Sequence, residues 1–293
     1  MERKLIHPKS PEFSRVITGV WRWSALSTDG IEALINTSLE HGITTFDHAD
    51  IYGNYSCEEL FGKAIANRPA LRNTIQLVTK CGIKLLSDKR PEHRIKHYDT
   101  SKEHIIRSVE NSLRNLKTDY LDLLLLHRPD PLMNPAEVAE VFSKLKQSGK
   151  VLFFGVSNFT APQVELLSSY LRDPLVTNQI EISLFYHQLL FDGTVDTLMK
   201  HQISPMAWSP LGGGKFFAEN EIQKQLETFA QRYACSISQL LLAWLLRHPS
   251  GIFPILGTTN PSRLTEGAKA LTVQLDKQDW FAMLKLVTGR DVA

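Results

Sequence analysis

Four side chains that could share a proton-transfer reaction stand at or near the ends of short apolar segments. Asp47, Lys80 and His127 each end such a segment, and Tyr52 follows Asp47 by five residues. A lysine at the end of a buried segment is costly unless it is paired, and an aspartate on a neighbouring segment can pair with it. A phenol with a pKa near roughly 10 donates its proton poorly at neutral pH, and a nearby ammonium lowers that pKa. If the fold brings the four groups together, we predict a proton-donating unit.

Each of these residues by itself has a simpler interpretation. An aspartate at a strand end is commonly a helix cap or a turn residue. An isolated lysine such as Lys80 commonly extends its charge to the surface, and an isolated histidine such as His127 is commonly hydrogen-bonded in a core. Four such groups at the ends of three consecutive segments are harder to explain in this way, so the hypothesis depends on the elements that position them.

Eight short apolar segments are predicted to be β-strands. Several are continuously apolar rather than alternating, which is typical of strands buried on both faces of a parallel sheet. Amphipathic stripes at helical spacing separate them. This alternation predicts a single (β/α)8 TIM barrel domain, 1–293, with additional helices near Glu219–Ala234 and Asp276–Val287; a doubly wound open sheet is the alternative. The predicted strands are Arg15–Thr18, Thr44–Asp47, Ile75–Lys80, Leu121–His127, Val151–Val156, Leu175–Ile180, Pro205–Trp208 and Phe253–Leu256.

Several predicted helices carry capping signals at their starts. Asn134 and Asn260 each precede a proline, which favours the first helical position. Capping-box spacing, in which a Ser or Thr precedes a Glu or Gln by three residues, occurs at three further sites. These are Ser56 with Glu59, Thr100 with Glu103, and Thr160 with Gln163.

The segment Cys81–Asp99 has no clear periodicity and is rich in lysine, arginine and histidine. Long segments without secondary structure in compact domains are usually functional or disordered. Two interpretations remain open: a solvated surface excursion, such as a short hairpin, or a wall over the mouth of the barrel. Cys81 itself is interpreted as a buried structural thiol, because adjacent strand residues point in opposite directions and Lys80 points toward the proposed site.

The segments that end in these polar residues carry longer motifs, spread in order over nearly the whole chain. They are Phe46–Gly53 (FDHADIYG), Lys80, Leu116–Leu123 (LKTDYLDL), His127–Pro129 (HRP), Gly155–Phe159 (GVSNF), Asn178–Gln179, Trp208–Gly212 (WSPLG) and Gly257–Leu264 (GTTNPSRL). Together they resemble the aldo-keto reductase superfamily, most of all its bacterial, poorly characterised oxidoreductase branch. The resemblance implies an NAD(P)H-dependent enzyme that reduces a small-molecule carbonyl compound, an aldehyde or ketone, to an alcohol by hydride transfer.

For the four residues named first, the resemblance implies a division of roles. Tyr52 would be the general acid that protonates the carbonyl oxygen as the hydride arrives. Lys80 would lower the pKa of Tyr52, and Asp47 would hold Lys80 by an ion pair. His127 would orient the carbonyl and share in proton transfer.

The resemblance also implies a binding site for the nicotinamide cofactor. Ser157, Asn158 and Gln179 would bind the carboxamide, and Trp208 would stack on the nicotinamide ring. The other implied cofactor contacts are Gly19, Val20 and Trp21 in the first-strand turn, Ser209, Leu211 and Gly212 in the loop that crosses the pyrophosphate, and Gly257, Thr258 and Arg263 after the eighth strand.

Two positions depart from the family pattern. Gly257 stands where many members have a lysine that helps to bind the 2′-phosphate of NADPH, and Gly267 stands where many have an asparagine near the adenine. Thr258 and Arg263 remain, and arginine can bind phosphate through two parallel hydrogen bonds while threonine adds a hydroxyl donor. We therefore expect NADPH (NADP+) as the cofactor, with NADH as the alternative.

The substrate pocket is expected to be formed by loops at the mouth of the barrel. Trp21, Trp23, His48, Tyr55 and the segment 128–134 are candidates for its walls. Such a mouth combines aromatic rings with scattered basic groups. It would accept aromatic or carboxylated aldehydes but selects neither.

Composition gives no reason to expect several other partners. The chain of 293 residues has 33 Lys+Arg and 31 Asp+Glu, and a net charge of +2 predicts neither a nucleic acid nor an anionic membrane as partner. No apolar signal-peptide core follows Met1–Lys4, and no apolar run approaches the roughly 20 residues of a membrane span. Three separated cysteines argue against a disulfide framework, so we expect a cytoplasmic protein.

The sequence lacks the signatures of other nucleotide and metal sites. No GxGxxG follows the first strand, and Gly212–Gly214 is not followed by the Lys-Ser/Thr of a Walker loop. Asp47, His48 and Asp50 lie together, but no HxH accompanies them, so no metal site is predicted. The alternative function is a cofactor-binding scaffold or redox sensor that acts through a protein partner. The oligomeric state is left open.

Overall fold

The computed structural model describes residues 2–217 and 221–292. At its centre eight parallel strands close into a barrel, which confirms the predicted fold class. The strands are β1 (Arg3–Leu5), β2 (Glu12–Ser14), β3 (Ile17–Gly19), β4 (Thr45–Asp47), β5 (Gln76–Cys81), β6 (Ile83–Lys84), β7 (His97–Tyr98), β8 (Leu121–Leu126), β9 (Val151–Ser157), β10 (Leu175–Glu181), β11 (Met206–Trp208) and β12 (Phe253–Leu256).

The barrel runs in the order β3, β4, β5, β8, β9, β10, β11 and β12, and β12 pairs with β3 to close it. These are the eight predicted strands, with ends that differ by at most two residues. The remaining strands form two antiparallel pairs outside the barrel, β1 with β2 and β6 with β7.

Helices cover the outer face of the barrel, and none in the described part of the chain is both long and apolar enough to cross a membrane. Of the predicted additional helices, α8 and α11 are present, although Glu219 lies outside the described residues. The helices are α1 (Thr28–Glu40), α2 (Tyr52–Tyr55, one turn), α3 (Cys57–Ile65), α4 (Lys102–Leu116), α5 (Pro135–Gln147), α6 (Ala161–Tyr170), α7 (Thr194–Lys200), α8 (Glu221–Arg232), α9 (Ile237–Leu246), α10 (Pro261–Ala268) and α11 (Lys277–Thr288).

The inner core of the barrel determines which strand residues reach the site. Val78 and Leu125 pack inside the barrel, and Phe13 of the β1–β2 hairpin packs with them from the amino-terminal end. Because successive strand residues point to opposite faces, Lys80 continues the inward face of Val78, and His127 continues that of Leu125. The apolar interior thus ends in a polar layer at the carboxyl ends of the strands.

Three of the five predicted helix caps are present in the structure. Asn134 and Asn260 each accept a hydrogen bond from a backbone N–H of the first turn, and Thr160 forms a capping box with Gln163, all as predicted. The other two boxes are wrong. At α3 the hydroxyl of Ser56 donates to the carbonyl of Gly53 instead, and α4 is capped by Ser101, one residue after the predicted Thr100.

The segment that follows β5 folds into the short β6–β7 hairpin, and no residue between 81 and 99 lines the large cleft described below. Part of it covers a smaller cavity of about 90 Å³ that also borders Asp50, Glu58 and His104. Ser108 donates a 2.6 Å hydrogen bond to Asp50 Oδ2, whereas Oδ1 of Asp50 is buried without a hydrogen-bond partner among the described residues. Burial therefore raises the pKa of Asp50 to about 7, with a smaller contribution from the charge of Glu58.

We predict that Asp50 makes the protein less stable as the pH rises. In the folded state this carboxyl keeps its proton up to about pH 7, whereas in the unfolded chain it loses it near pH 4. The free energy of unfolding should therefore fall between about pH 4 and pH 7 and level off above. Asp50→Asn should remove this slope and be more stable than the wild type at pH 8 by on the order of 2–4 kcal/mol, measured by chemical unfolding. Exposed Asp88→Asn is the control, and parallel curves for Asp50→Asn and wild type would contradict the assignment.

Candidate active site

Lys80 and Asp47 form a buried ion pair at the carboxyl ends of β5 and β4. Nζ of Lys80 lies 2.9 and 2.7 Å from the two carboxylate oxygens of Asp47. It also lies 2.7 Å from the carbonyl oxygen of His48 and 3.0 Å from the hydroxyl of Tyr52. The two charged side chains are 0% and 3% exposed. Oxygen atoms of the protein therefore accept hydrogen bonds from all three N–H groups of the ammonium.

A left-handed turn of the backbone follows Tyr52 and fixes its position. Gly53, Asn54 and Tyr55 have φ angles of 59°, 55° and 63°. A Cβ atom on Gly53 would lie 2.6 Å from neighbouring side-chain atoms, so this position requires glycine. A left-handed conformation costs a residue other than glycine roughly 1–2 kcal/mol, and such strain is concentrated at functional sites. The turn directs the phenol back toward Lys80.

Burial and charge act in opposite directions on the pKa values of Lys80 and Tyr52. Burial lowers the pKa of Lys80, but Asp47 and Tyr52 together outweigh it, so the pKa is raised and the lysine stays charged. Burial raises the pKa of Tyr52 and outweighs the ammonium of Lys80, which lowers it. Lys80 thus acts on the pKa of Tyr52 in the expected direction, but burial makes the net shift upward. The phenol keeps its proton at neutral pH, and Lys80 limits the rise.

His127 completes this group as a neutral ring. Its imidazole lies edge-on to Tyr52, with 5.8 Å between the ring centroids. Burial lowers the pKa of His127 well below its usual value, and the charges of Lys80 and Arg128 lower it further. Its Nδ1 is buried and has no hydrogen-bond partner within the described part of the chain. A neutral imidazole on the wall of the cleft can orient a polar group without adding a positive charge.

A chain of hydrogen bonds connects the ion pair to the residues expected to bind a carboxamide. Nε2 of Gln179 donates to Oδ1 of Asp47 at 2.8 Å. Oγ of Ser157 donates to the carbonyl of Gln179 and accepts from Nδ2 of Asn158, each at 2.8 Å. Nε1 of Trp208 donates to Oδ1 of Asn158 at 3.0 Å. The structure thus brings together five predicted residues from or next to four strands, β4, β9, β10 and β11.

Most of these groups border one cleft of about 590 Å³. Val20 and Lys80 are fully buried behind its wall, and neither Asn158 nor Gly212 is part of its lining. Val20 still contacts the site, because its backbone N–H donates to the carbonyl of Asp47 at 3.1 Å. The predicted residues that do line the cleft are Gly19, Trp21, Asp47, Tyr52, His127, Ser157, Gln179, Trp208, Ser209, Leu211, Gly257, Thr258 and Arg263.

The loop after β11 presents backbone rather than side chains. Ser209 has a φ angle of 49°, and Gly212, Gly213 and Gly214 have φ angles of 58°, 67° and 86°. Glycines in this conformation let a ligand approach the backbone closely. Gly213 and Gly214 line the cleft, and a Cβ on Gly213 would meet nothing within 4 Å. The loop can therefore accommodate an elongated phosphate-containing group.

The two departures from the family pattern have a packing explanation. A Cβ on Gly257 would lie 2.7 Å from Nε1 of Trp21, so the indole occupies the space that a side chain would need. A Cβ on Gly267 would lie 2.3 Å from Cδ1 of Leu256. Each glycine is therefore matched to a large neighbour, and neither a lysine at 257 nor an asparagine at 267 fits without rearrangement.

Several residues that line the cleft were not predicted. Arg22 directly follows Trp21, and Glu266 directly precedes Gly267. The sequence signal that could have identified them is that each is next to a position already named. Ser238 and Leu242 come from α9, where the apolar stripe indicated only a core helix. Arg128 lies in the segment expected to shape the substrate pocket, and it does line the cleft.

Three residues expected in the substrate pocket lie elsewhere. Trp23 is buried, stacks against Phe61 and donates from Nε1 to the carbonyl of Thr258 at 3.1 Å. His48 is fully buried with its ring edge-on to Phe61, and burial lowers its pKa to about 3. Tyr55 borders the smaller cavity, where its hydroxyl accepts from the N–H of Leu85. Sequence position alone did not separate inward-facing from outward-facing residues on these turns.

A metal site needs several ligand side chains close together. Among residues 2–217 and 221–292, no group of three or more His, Cys, Asp or Glu side chains is arranged to hold a metal ion.

The sequence and the fold both match known proteins. The model of the Aldo/keto reductase family matches residues 15–287. An uncharacterized oxidoreductase of Bacillus subtilis, YcsN, is 51% identical over 96% of each chain. A 6-dehydroglucose reductase of Agrobacterium fabrum is 43% identical over 96% of this chain and 97% of its own. A solved aldo/keto reductase of Klebsiella pneumoniae in complex with NADP and acetate superimposes with a TM-score of 0.81 at 26% identity, covering 97% of this chain and 95% of its own.

The chain belongs to the aldo/keto reductase family. It is an NAD(P)H-dependent oxidoreductase of the class that acts on small-molecule carbonyl compounds.

Proposed function

We propose that this enzyme reduces an aldehyde or ketone to the alcohol with NADPH, using Tyr52 as the general acid and a single barrel domain as its scaffold. The observation that carries the proposal is the hydroxyl of Tyr52 at the wall of the cleft, 3.0 Å from an ammonium that is buried against Asp47. A phenol held in this way can release a proton to a developing alkoxide, and the ammonium stabilises the phenolate that remains.

The lining of the cleft suits NADPH, which supplies a hydride when bound. Ser157 and Gln179 line the cleft with a hydroxyl and an amide suited to a carboxamide, and Asn158 lies directly behind Ser157, to which its Nδ2 donates. Trp208 presents an aromatic ring beside them, held by its bond to Asn158. The glycine-rich loop after β11 suits a pyrophosphate, because its backbone is accessible.

The side chains around the cleft supply the proton, orient the substrate oxygen and hold the ion pair in place. Tyr52 holds its proton until a carbonyl oxygen gains negative charge, since burial keeps its pKa high. His127, neutral for the same reason, orients that oxygen by hydrogen bonding. Gln179 fixes Asp47, and Asp47 in turn fixes Lys80. The reacting groups are thus held in place before the substrate arrives, which is the main source of electrostatic catalysis.

Three similar proteins support the direction and the cofactor of the reaction. Two proteins at 43% and 37% identity carry the name 6-dehydroglucose reductase, which describes reduction of a carbonyl compound. The solved Klebsiella pneumoniae structure contains NADP. For this chain, Arg263 and Thr258 on the cleft would receive the 2′-phosphate that distinguishes NADPH from NADH.

Tyr52→Phe tests the chemistry most simply, because it removes the acidic proton and keeps the ring. We expect turnover of a good aldehyde to fall by roughly 10²–10⁴, with the Kd for NADPH nearly unchanged, measured by stopped-flow kinetics and fluorescence titration. The exposed Tyr170→Phe on α6 is the control. Wild-type turnover in Tyr52→Phe would remove Tyr52 as the acid, whereas absence of aldehyde turnover in the wild type would favour a cofactor-binding scaffold or redox sensor.

Arg263→Ala tests the choice of cofactor. Loss of a charge-assisted bond to phosphate costs about 1.5–3 kcal/mol, so the Kd for NADPH should rise by roughly 10- to 100-fold while the Kd for NADH changes little. Isothermal titration with both cofactors provides the comparison, and Arg247→Ala, exposed at the end of α9, is the control. Equal changes for the two cofactors would assign Arg263 a structural role.

A further inference from the structure

Arg128 places a positive charge beside the reacting groups. It directly follows His127, and its Nη1 donates to the carbonyl of His127 at 3.2 Å and to Oγ of Ser157 at 3.4 Å. Its guanidinium carbon lies 5.6 Å from the ring centroid of Trp208. The side chain lines the same cleft as Tyr52.

The described residues leave much of this guanidinium without a hydrogen-bond acceptor. Within the described residues no carboxylate lies at ion-pair distance from Arg128, and only its Nη1 donates hydrogen bonds there. Burial lowers its pKa, an effect larger than the opposing influence of Tyr98, Tyr52 and Glu181. An arginine stays charged in proteins, and a half-buried charge without a counter-ion is unfavourable until a ligand supplies acceptor oxygens.

The proposed function determines which ligand atoms can reach these donors. If a carbonyl oxygen lies between Tyr52 and His127, a group attached to the carbonyl carbon can reach the part of the same cleft that Arg128 lines. An unsubstituted alkyl chain offers this guanidinium no acceptor. An oxygen on the carbon next to the carbonyl does, and planar guanidinium donors can bind two such oxygens at once.

We infer that Arg128 binds an acceptor oxygen on the carbon next to the reacting carbonyl, so that the enzyme selects α-oxygenated carbonyl compounds, either 2-hydroxyaldehydes or 2-oxo acids. The inference rests on the proposed function and deepens it by naming a substrate class. Arg128 is a specificity residue in this account, because it contacts the substituent rather than the oxygen that Tyr52 protonates.

Two other roles for Arg128 make different predictions. Its charge also lowers the pKa of Tyr52, and a role in tuning the phenol would affect every carbonyl substrate alike and would change the pH profile. Its bond to Ser157 could instead position the cofactor, and that role would appear in the affinity for NADPH.

Matched pairs of substrates separate these roles. With NADPH we would compare 2-hydroxypropanal with propanal, and glyoxylate with acetaldehyde, in the wild type, Arg128→Met, Arg128→Lys and the control Arg247→Met. In each pair the wild type should favour the oxygenated member in kcat/KM. Arg128→Met should reduce that preference by roughly 10- to 100-fold, and Arg128→Lys should retain part of it. A preference lost only with glyoxylate identifies a carboxylate site, and one lost only with 2-hydroxypropanal identifies a hydroxyl site.

The outcomes are distinguishable from one another. Three results for Arg128→Met would overturn the assignment. They are an equal loss of kcat/KM for both members of each pair, a shifted pH profile with an intact preference, and weaker NADPH binding as the only change. If no aldehyde is reduced, the proposed function fails, and binding of glycolate to the NADP+-loaded protein still tests Arg128. Glycolate should then bind at least about 10-fold more weakly to Arg128→Met than to the wild type, and equal binding would overturn the inference.

Discussion

The burial of one ammonium inside the barrel is the constraint on which the rest of the site depends. Lys80 is fully buried, and Asp47 is the carboxylate that pairs with it. Taking two charges out of water is expensive, and a buried pair of this kind commonly gives no more stability than apolar residues of the same volume. The hydroxyl of Tyr52, which also contacts Lys80, explains why the ion pair is present here. A fixed positive charge stabilises the phenolate that Tyr52 forms at the wall of the cleft.

The barrel supplies the conditions that this pair needs. Parallel strands bring Asp47, Lys80 and Gln179 to one edge, and alternation along β5 and β8 turns Lys80 and His127 inward above an apolar interior. The left-handed turn at 53–55 then returns Tyr52 toward Lys80. The same low-polarity surroundings raise the pKa of Tyr52 and lower that of His127, so both remain neutral before substrate arrives.

Apolar runs predicted the eight barrel strands because both faces of each strand are covered. The β1–β2 hairpin was missed, since β1 is an exposed segment with no apolar signal. Motif order predicted which residues meet at the site and that Lys80 lowers the pKa of Tyr52, but not that burial outweighs this effect. Trp23 and His48 were wrongly predicted to face the substrate pocket, because the sequence of a turn does not show which of its side chains point into the core. Ser238 and Leu242 reach the cleft only through the packing of α9.

The turnover of the double variant Asp47→Asn/Lys80→Met tests the central claim most directly. Removing either charge alone leaves the other buried and unpaired, at a cost of about 3–5 kcal/mol, whereas removing both leaves no buried charge. We expect a double variant that is folded and more stable than either single variant, yet slower than the wild type by at least about 10²-fold in aldehyde reduction. Wild-type turnover in this folded double variant would contradict the claim that the ion pair serves the chemistry of Tyr52.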